Sequence, residues 1–522
     1  MRGSVQQGLS VRRWALALLG AAGMAVGMLG APLGASAGSM PSFSLANVGP
    51  YGGEPSMTSD HNGYLYVTSP SGPETFRANP GSNGSSWTPI QSGDTSSGDD
   101  CFGMDEINTL YWCNLASMTY STLPLQADDF HSTVAETCTT NCHWVHGTAT
   151  AGTTSTKCPG GTSCNPFGVD RDWTAASYLG GPPPNPQPKG YSGAEVVLMY
   201  HDFYGPSEIW VNISKDGGNT FGTAKAVIPS CTSSGCLPGE VEAQGYQMCN
   251  TVPAGVAIVP HGLPHAGRIY VSWIAADPVQ NATGCNITML QSFHTAWVAY
   301  SDDNGNTWTS QEAFDAGIGN DMSTPFVAFT TDNQGNPYLA FSAPVSNPTS
   351  TSPAQVEKCA TESTDGTVQS DPNCDYHLQV VWCQCTGSSV SFDDGAGLIP
   401  GSASTAYVVD GPSMYGSSKP VPGTSIYPTI AAGNPGMVDV GWLHTPEIVP
   451  TDPYGKFDPG GCNGPGPTNG NPPQYPPECD WYLYTAQSLN LTASTSSATW
   501  TGGQVTLNPM HYGDICNLGI FC

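Results

Sequence analysis

Ser214-Lys215-Asp216-Gly217-Gly218-Asn219-Thr220-Phe221 and Ser301-Asp302-Asp303-Asn304-Gly305-Asn306-Thr307-Trp308 repeat one order of residues: Ser, Asp, Gly, Thr, then an aromatic. The chemistry is that of a hairpin tip. The carboxylate accepts backbone N–H groups of the turn, a Gly takes the φ > 0 position, and the aromatic folds back into a core. Ser82-Asn83-Gly84-Ser85-Ser86-Trp87 is a worn copy, and Phe392 and Trp500 end more degenerate ones. Working outward from these turns, six segments read as the same short strand. They are Tyr64–Val67, Leu110–Trp112, Val196–Tyr200, Ile269–Trp273, Tyr338–Phe341 and Met437–Trp442. Each is rich in β-branched or aromatic residues, and most follow a turn such as Asp60–Gly63 or Asp332–Asn336. Strands recurring at long, uneven spacing predict repeated β units separated by loop insertions.

Composition supports this. The 522 residues include 63 Gly and 46 Pro, which disfavour long helices. A 39% hydrophobic fraction with 10% aromatics excludes a disordered chain. Only 10% of residues are charged, 13 basic against 41 acidic, for a net charge of −28. Nucleic-acid binding through a basic face is excluded, because it rests on Lys and Arg.

Residues 1–37 have the form of a secretory signal: Arg12 and Arg13, an apolar run from Trp14 to Met28, and the small-residue site Ala35-Ser36-Ala37. The alternative is a membrane anchor, which Gly20, Gly23, Gly27, Gly30 and Pro32 interrupt. Export and an extracellular location are the expectation, with no membrane association once the signal is cut. All 18 Cys follow residue 37, an even number suited to disulfides in an oxidising compartment. Local spacing pairs Cys101 with Cys113, Cys138 with Cys142, Cys158 with Cys164, Cys231 with Cys236 and Cys516 with Cys522. Cys249/Cys285 and Cys462/Cys479 are looser pairs, and Cys383 and Cys385 should pair outward to Cys359 and Cys374. Zinc is the alternative, although no Cys/His quartet has zinc-finger spacing.

The Ser214–Phe221 and Ser301–Trp308 turns resemble the Asp-box repeat of sialidase-type β-propellers. The wider chain resembles secreted bacterial proteins of sialidase-like type through Gly52-Gly53-Glu54-Pro55-Ser56 and Asp170-Arg171-Asp172-Trp173. The resemblance covers most of residues 45–516. It implies an all-β fold, a six-bladed β-propeller of four-stranded blades around a channel, with the six strands one per blade and the Asp boxes as scaffold. Residues 38–522 would then form one domain. Stretches near 131–190, 345–375 and 446–480, rich in Pro, Gly and Cys, would be disulfide-tied loop insertions.

If the six strands are innermost, the residues just before them line one mouth of the channel. These lead-in positions are Glu54-Pro55, Asp99-Asp100, Arg171-Asp172-Trp173, Gln247-Met248, Ser323-Thr324-Pro325 and Tyr427-Pro428. Paired carboxylates serve glycoside hydrolysis as acid, base or nucleophile, so Glu54, Asp100, Asp172 and Tyr427 are the catalytic candidates. Arg171, Trp173, Asp99 and His201 are the substrate-binding candidates. The bland reading is that the same groups cap turns and hold water in a polar channel. Sialidases hold the substrate carboxylate with three Arg. Here only Arg77, Arg171 and Arg268 follow the leader, none after residue 268, so the catalytic resemblance is poor. Arg268, in a turn entering a strand, reads as an exposed residue.

The His pairs His143/His146 and His261/His265 are loop residues that can ligate a metal or simply face solvent. No metal or other cofactor is expected. Ca²⁺ fits the Asp- and Asn-rich loops, but no twelve-residue calcium loop is present. Two functions remain. One is a glycan hydrolase of exo-glycosidase type using channel carboxylates. The other is a non-catalytic propeller that binds a glycan or protein. Either would meet an extracellular glycan or glycoprotein, as a monomer.

Overall fold

The computed structural model describes residues 43, 45–48, 55–69, 74–82, 84–92, 100–115, 127–133, 135–147, 169–178, 193–202, 209–227, 249–276, 293–315, 322, 326–344, 360–362, 368–370, 376–383, 407–410, 423–446, 480–491 and 499–512. The leader, Glu54, Asp99, Phe392 and most of 446–480 lie outside them. No helix occurs among the described residues.

The strands form six blades in chain order, antiparallel within each, and the last two are joined by one parallel pair, Tyr376 with Thr424. Blade one is β1 (Ser56–Ser59), β2 (Leu65–Ser69), β3 (Glu74–Ala78) and β4 (Trp87–Ile90). Blade two is β5 (Asp100–Met104), β6 (Leu110–Leu115), β7 (Ala127–Ser132) and β8 (Val145–Gly147). Blade three is β9 (Val169–Tyr178), β10 (Ala194–Asp202), β11 (Ile209–Ser214) and β12 (Lys225–Ala226). Blade four is β13 (Cys249–Ile258), β14 (Ile269–Ala276), β15 (Phe293–Ser301) and β16 (Thr309–Asp315). Blade five is β17 (Ala328–Thr331) and β18 (Pro337–Pro344), a separate hairpin β19 (Ala360–Glu362) and β20 (Val368–Ser370), then β21 (Tyr376–Trp382) and β22 (Tyr407–Val408). Blade six is β23 (Thr424–Ala432), β24 (Val438–Thr445), β25 (Asp480–Ser488) and β26 (Thr501–Gln504), with β27 (His511–Tyr512) pairing the start of β25. The fold is an all-β, six-bladed propeller.

The first strand of each blade is the innermost. β1 packs on β5, β5 on β9, β9 on β13, β13 on β17 and β17 on β23. The six landmark segments are equivalent, but they form or enter β2, β6, β10, β14, β18 and β24, the second strand of each blade. The expectation that they are innermost is therefore corrected. Second strands lie between two hydrogen-bonded neighbours and bury both faces against adjacent blades, which makes their sequences continuous apolar runs. Cores between blades show this: Val197 and Met199 meet Ile269, Val271 and Trp273, and Tyr338 and Ala340 meet Val440 and Trp442. The stretch 131–190 also contains more than loop, since β8 and β9 fall within it.

The quoted turns sit where their chemistry places them, between third and fourth strands. Thr220 donates its N–H and hydroxyl to the two oxygens of Asp216, at 2.8 and 2.6 Å. Thr307 does the same to Asp303, at 2.8 and 2.7 Å. Ser214 and Ser301 accept the N–H of Gly218 and Gly305. In blade six Thr499 bonds Asn490 through N–H and hydroxyl, so Trp500 ends an equivalent turn widened by an insertion. Phe221, Trp308 and Trp500 pack against the cores between blades.

A second repeat fixes the turn between first and second strands. Asp60, Asp105 and Asp332 each accept two backbone N–H groups, two and four residues on, through Oδ1. Their Oδ2 accepts the hydroxyl of Tyr66, Tyr111 and Tyr338, six residues on, at 3.1, 3.2 and 3.0 Å. Cys101–Cys113 and Cys138–Cys142 are disulfides, as their spacing predicts, and Cys383 is disulfide-bonded too. The other expected pairs involve residues or side chains outside those described.

Candidate functional site at the channel

Five of the candidates stand on the innermost strands themselves, not merely before them. Asp100 opens β5, Arg171, Asp172 and Trp173 lie in β9, and Tyr427 lies in β23. Two of these strands are broken at the same kind of place. In β9, Asp170 opposes His201 and Trp173 opposes Met199, so Arg171 and Asp172 together face Tyr200. In β23, Ile426 opposes Leu443 and Thr429 opposes Gly441, so Tyr427 and Pro428 together face Trp442. Each is a β-bulge, and its first residue is left-handed: φ is 48° at Arg171 and 53° at Tyr427. Such a backbone costs a bulky residue about 1–3 kcal/mol, and bulges re-aim side chains.

Both re-aimed side chains meet one ring. The Arg171 guanidinium lies 4.2 Å from the centroid of Phe326, which precedes β17. Tyr427 meets Phe326 at 4.7 Å between centroids and 80° between planes. Blades three, five and six thus contribute to one half-buried cluster at the axis. Sequence reasoning missed Phe326, although the lead-in Ser323-Thr324-Pro325 ends one residue before it.

The carboxylates are placed differently. Asp100 is 8% exposed and accepts the Thr68 hydroxyl of blade one at 3.0 Å. Asp172 is 3% exposed, and its carboxylate lies within 4.8 Å of the sulfurs of Cys101 and Cys113 in blade two. Each therefore sits in a seam against a neighbouring blade. Trp173 packs into the core between blades three and four instead of offering a free platform. His201 ends β10, with its side chain outside the described residues. Glu54 and Asp99 also lie outside them.

Neither remaining Arg joins Arg171. Arg77 is buried and donates to the carbonyls of Ala135 and Cys138, at 2.7 and 2.9 Å, tying blade one to the loop of blade two. Arg268, expected to be exposed, is 1% exposed; it grips Asp302 with two bonds of 2.7 Å and lies 4.4 Å over Tyr300. Another polar set escaped the sequence reading. The Ser425 hydroxyl donates to Asp410 and meets His444 Nδ1 at 2.9 Å, and all three are buried. The Ser stands between acid and base, whereas nucleophile activation needs His between them. Asp410 also accepts the N–H of Leu378, so this set ties blade five to blade six.

No family model and no curated protein matches the chain. Among solved structures it is similar to an ulvan lyase, a polysaccharide lyase bound to -[GlcA(1-4)Rha3S]-, at 11% identity, covering 86% of this chain and 84% of that one with a TM-score of 0.41. It is also similar to Penicillium chrysogenum α-L-arabinanase complexed with arabinobiose, at 11% identity, 86% and 92% coverage and a TM-score of 0.33. A third is a mutant of Aleuria aurantia lectin with α-methyl-L-fucoside, at 11% identity, 88% and 97% coverage and a TM-score of 0.33. Such low identities and scores transfer no activity to this chain.

Proposed function

We propose that the chain is an exported glycan-binding propeller, acting as a monomer without a cofactor, whose channel mouth engages an extracellular glycan or glycoprotein through Arg171 and Tyr427. The observation that carries this is the pair of left-handed bulges converging on Phe326 from opposite parts of the ring. Strain of this kind persists where a surrounding structure enforces it, and it is concentrated at ligand sites. A guanidinium and a phenol beside an aromatic ring suit sugar hydroxyl or carboxylate groups. Export rests on residues 1–37 and on the disulfides.

Sialoside specificity is disfavoured, because Arg77 and Arg268 are committed between strands and turns and leave one Arg where sialidases use three. Hydrolysis by Asp100 and Asp172 is disfavoured by their burial in blade seams, where neither can hand a proton to a glycosidic oxygen. The second reading, an exo-glycosidase-type hydrolase, is favoured by the strained backbone of Tyr427, which would act as nucleophile with Glu54 as its base. Calorimetric titration with a panel of neutral and acidic oligosaccharides, paired with an assay for free sugar, tests both. Binding without release supports the first reading; turnover lost in Tyr427→Phe supports the second. No binding by any glycan in the panel sinks both.

A further inference from the structure

We propose that Asp480, Tyr482 and Tyr512 form a second carbohydrate site, on the outer part of blade six, that takes a sugar bearing a free amino group. Asp480 and Tyr482 stand two apart on β25, so they share one of its faces. β27 pairs Tyr512 directly with Asp480 and His511 with Trp481, which sets Tyr512 on that same face. Trp481 belongs to the other face and is fully buried, and Tyr482 packs at the margin of the core between blades five and six. Paired strands thus hold two phenol rings and a carboxylate together, a rigid support for a binding site.

Exposure and charge mark the patch. Among the described residues seven large apolar side chains are exposed, and three of them, Leu507, Met510 and Tyr512, fall in the run that forms this edge. Apolar surface gathered in one place on a folded edge is a mark of recognition, whereas scattered exposure is not. The weakly positive C–H face of a sugar ring suits the negative face of a phenol. The Tyr482 hydroxyl lies 3.5 Å from Asp480 Oδ2, the one hydrogen bond to that carboxylate among the described residues, and no cation pairs with it there. Asp480 therefore keeps acceptor capacity for a ligand. Burial first, then Asp480 and Tyr512, push the Tyr482 phenol above its ordinary value, so its surroundings disfavour a further negative charge. In a chain of net charge −28 the same surroundings repel anionic sugars and attract an ammonium group. A protonated amino sugar meets both conditions, with its ring on a tyrosine and its ammonium at Asp480, beside the phenol faces. The site is separate from the channel mouth, where Arg171 supplies a positive charge, so the two suit sugars of opposite charge.

The test is calorimetric titration of the full chain with glucosamine disaccharide and trisaccharide, at a pH where the amine is protonated. Oligomers this short limit the pull that the chain's net charge exerts on any polycation. Their N-acetylated counterparts and tetramethylammonium are titrated in parallel. The amino sugars are expected to bind and the acetylated ones to bind more weakly. Tyr512→Ala should weaken amino-sugar binding by about tenfold, through loss of a ring face. Asp480→Asn should weaken it by about three- to tenfold and remove most of its dependence on salt. Both positions are at the surface, so the variants should melt with the parent. Acetylated sugars bound as tightly as amino sugars overturn the proposal, as does the absence of amino-sugar binding. Unchanged affinity in both variants overturns it too, since binding would then lie elsewhere. Tetramethylammonium bound as tightly as the disaccharide would make the patch a plain cation cage. Self-association that Tyr512→Ala abolishes, with no sugar bound, would make it an interface between copies; either result overturns the sugar assignment.

Discussion

Arg171 of blade three holds its guanidinium 4.2 Å from the ring centroid of Phe326, the residue that leads into blade five. The two belong to non-adjacent blades, so the contact reaches past blade four. A cation over an aromatic face is worth about 0.5–2 kcal/mol, more as water is excluded. Phe326→Leu keeps an apolar side chain and removes the ring. It is expected to lower stability by about 1–2 kcal/mol and to weaken glycan binding in protein that still folds, because Arg171 and Tyr427 lose their shared rest. Denaturant melts paired with calorimetry check this. A variant with native affinity and native stability would show the ring to be incidental.

The turn at Asn304-Gly305 is an inter-blade contact as well as a hairpin tip. Lys225 of blade three donates to the Asn304 carbonyl at 2.8 Å and to Asn306 at 2.9 Å. Gly305 has φ 69°, and a Cβ built on it would lie 2.7 Å from Ile213 Cδ1. Gly305→Ala is therefore strained chiefly by its backbone, since the Ile213 methyl can shift aside, and should destabilise by about 1–3 kcal/mol. Asp303→Ala should cost about 1 kcal/mol, since the carboxylate it removes is partly solvated. Neither should change glycan affinity. Thermal melts and titrations of both variants decide it; an Asp303→Ala protein that melts normally yet binds nothing would make this turn a site instead of scaffold.

The repeat was legible because its chemistry is local. Ser, Asp and Thr at fixed offsets bond one another within a single turn, and the second strands show as apolar runs because both faces are buried. Which strand lines the channel was not legible. The inner strands carry bulges at Arg171-Asp172 and Tyr427-Pro428 that break their alternation, so they do not read as strands. The acids misled for a related reason. Asp100 and Asp172 look catalytic by position, yet their direction depends on which neighbouring blade they face, and that is tertiary information. Phe326 carries no motif, and its role exists only once blades three and six close around it.

Two buried groups of blade two pull the pH dependence of stability in opposite directions. His131, 2% exposed and tilted against Tyr111 at 5.8 Å between ring centroids, is pushed down to about 4 by burial, against the attraction of Asp216. Its contribution is present above its unfolded value of 6.5 and is lost as pH falls toward 4. Asp105, 1% exposed, is pushed up to about 6 by burial, against the hydrogen bonds from Thr109 and Ile107. Its contribution is present below 3.8 and is lost as pH rises through about 6. Each shift corresponds to about 3 kcal/mol, so the two nearly offset between pH 4 and 6. His131→Leu should leave the Asp105 effect alone, making stability rise as pH falls from 6 to 4. Asp105→Asn should give the reverse slope. Urea melts across that range measure both, and parallel profiles for the two variants would refute the assignment.

The choice between binding and hydrolysis falls on Arg171, Tyr427 and the two buried acids. If the channel mouth binds without chemistry, Arg171→Met removes a charge-assisted hydrogen bond worth about 1.5–3 kcal/mol and weakens glycan affinity by roughly ten- to a hundredfold. Tyr427→Phe, which deletes one hydroxyl, should cost less. Asp100→Asn and Asp172→Asn should leave affinity nearly unchanged, because both carboxylates face neighbouring blades. If the chain is instead a hydrolase, free sugar appears with the parent protein, and Tyr427→Phe and Glu54→Gln abolish it while affinity persists. A third pattern, turnover lost in Asp172→Asn but kept in Tyr427→Phe, would mean that the seam between blades two and three opens to substrate, and both readings of the mouth would fail. Sialosides discriminate further. With Arg77 and Arg268 engaged elsewhere, a single Arg gives them little advantage over neutral glycosides, so a strong preference for sialosides in titration or turnover would require cationic groups other than these three.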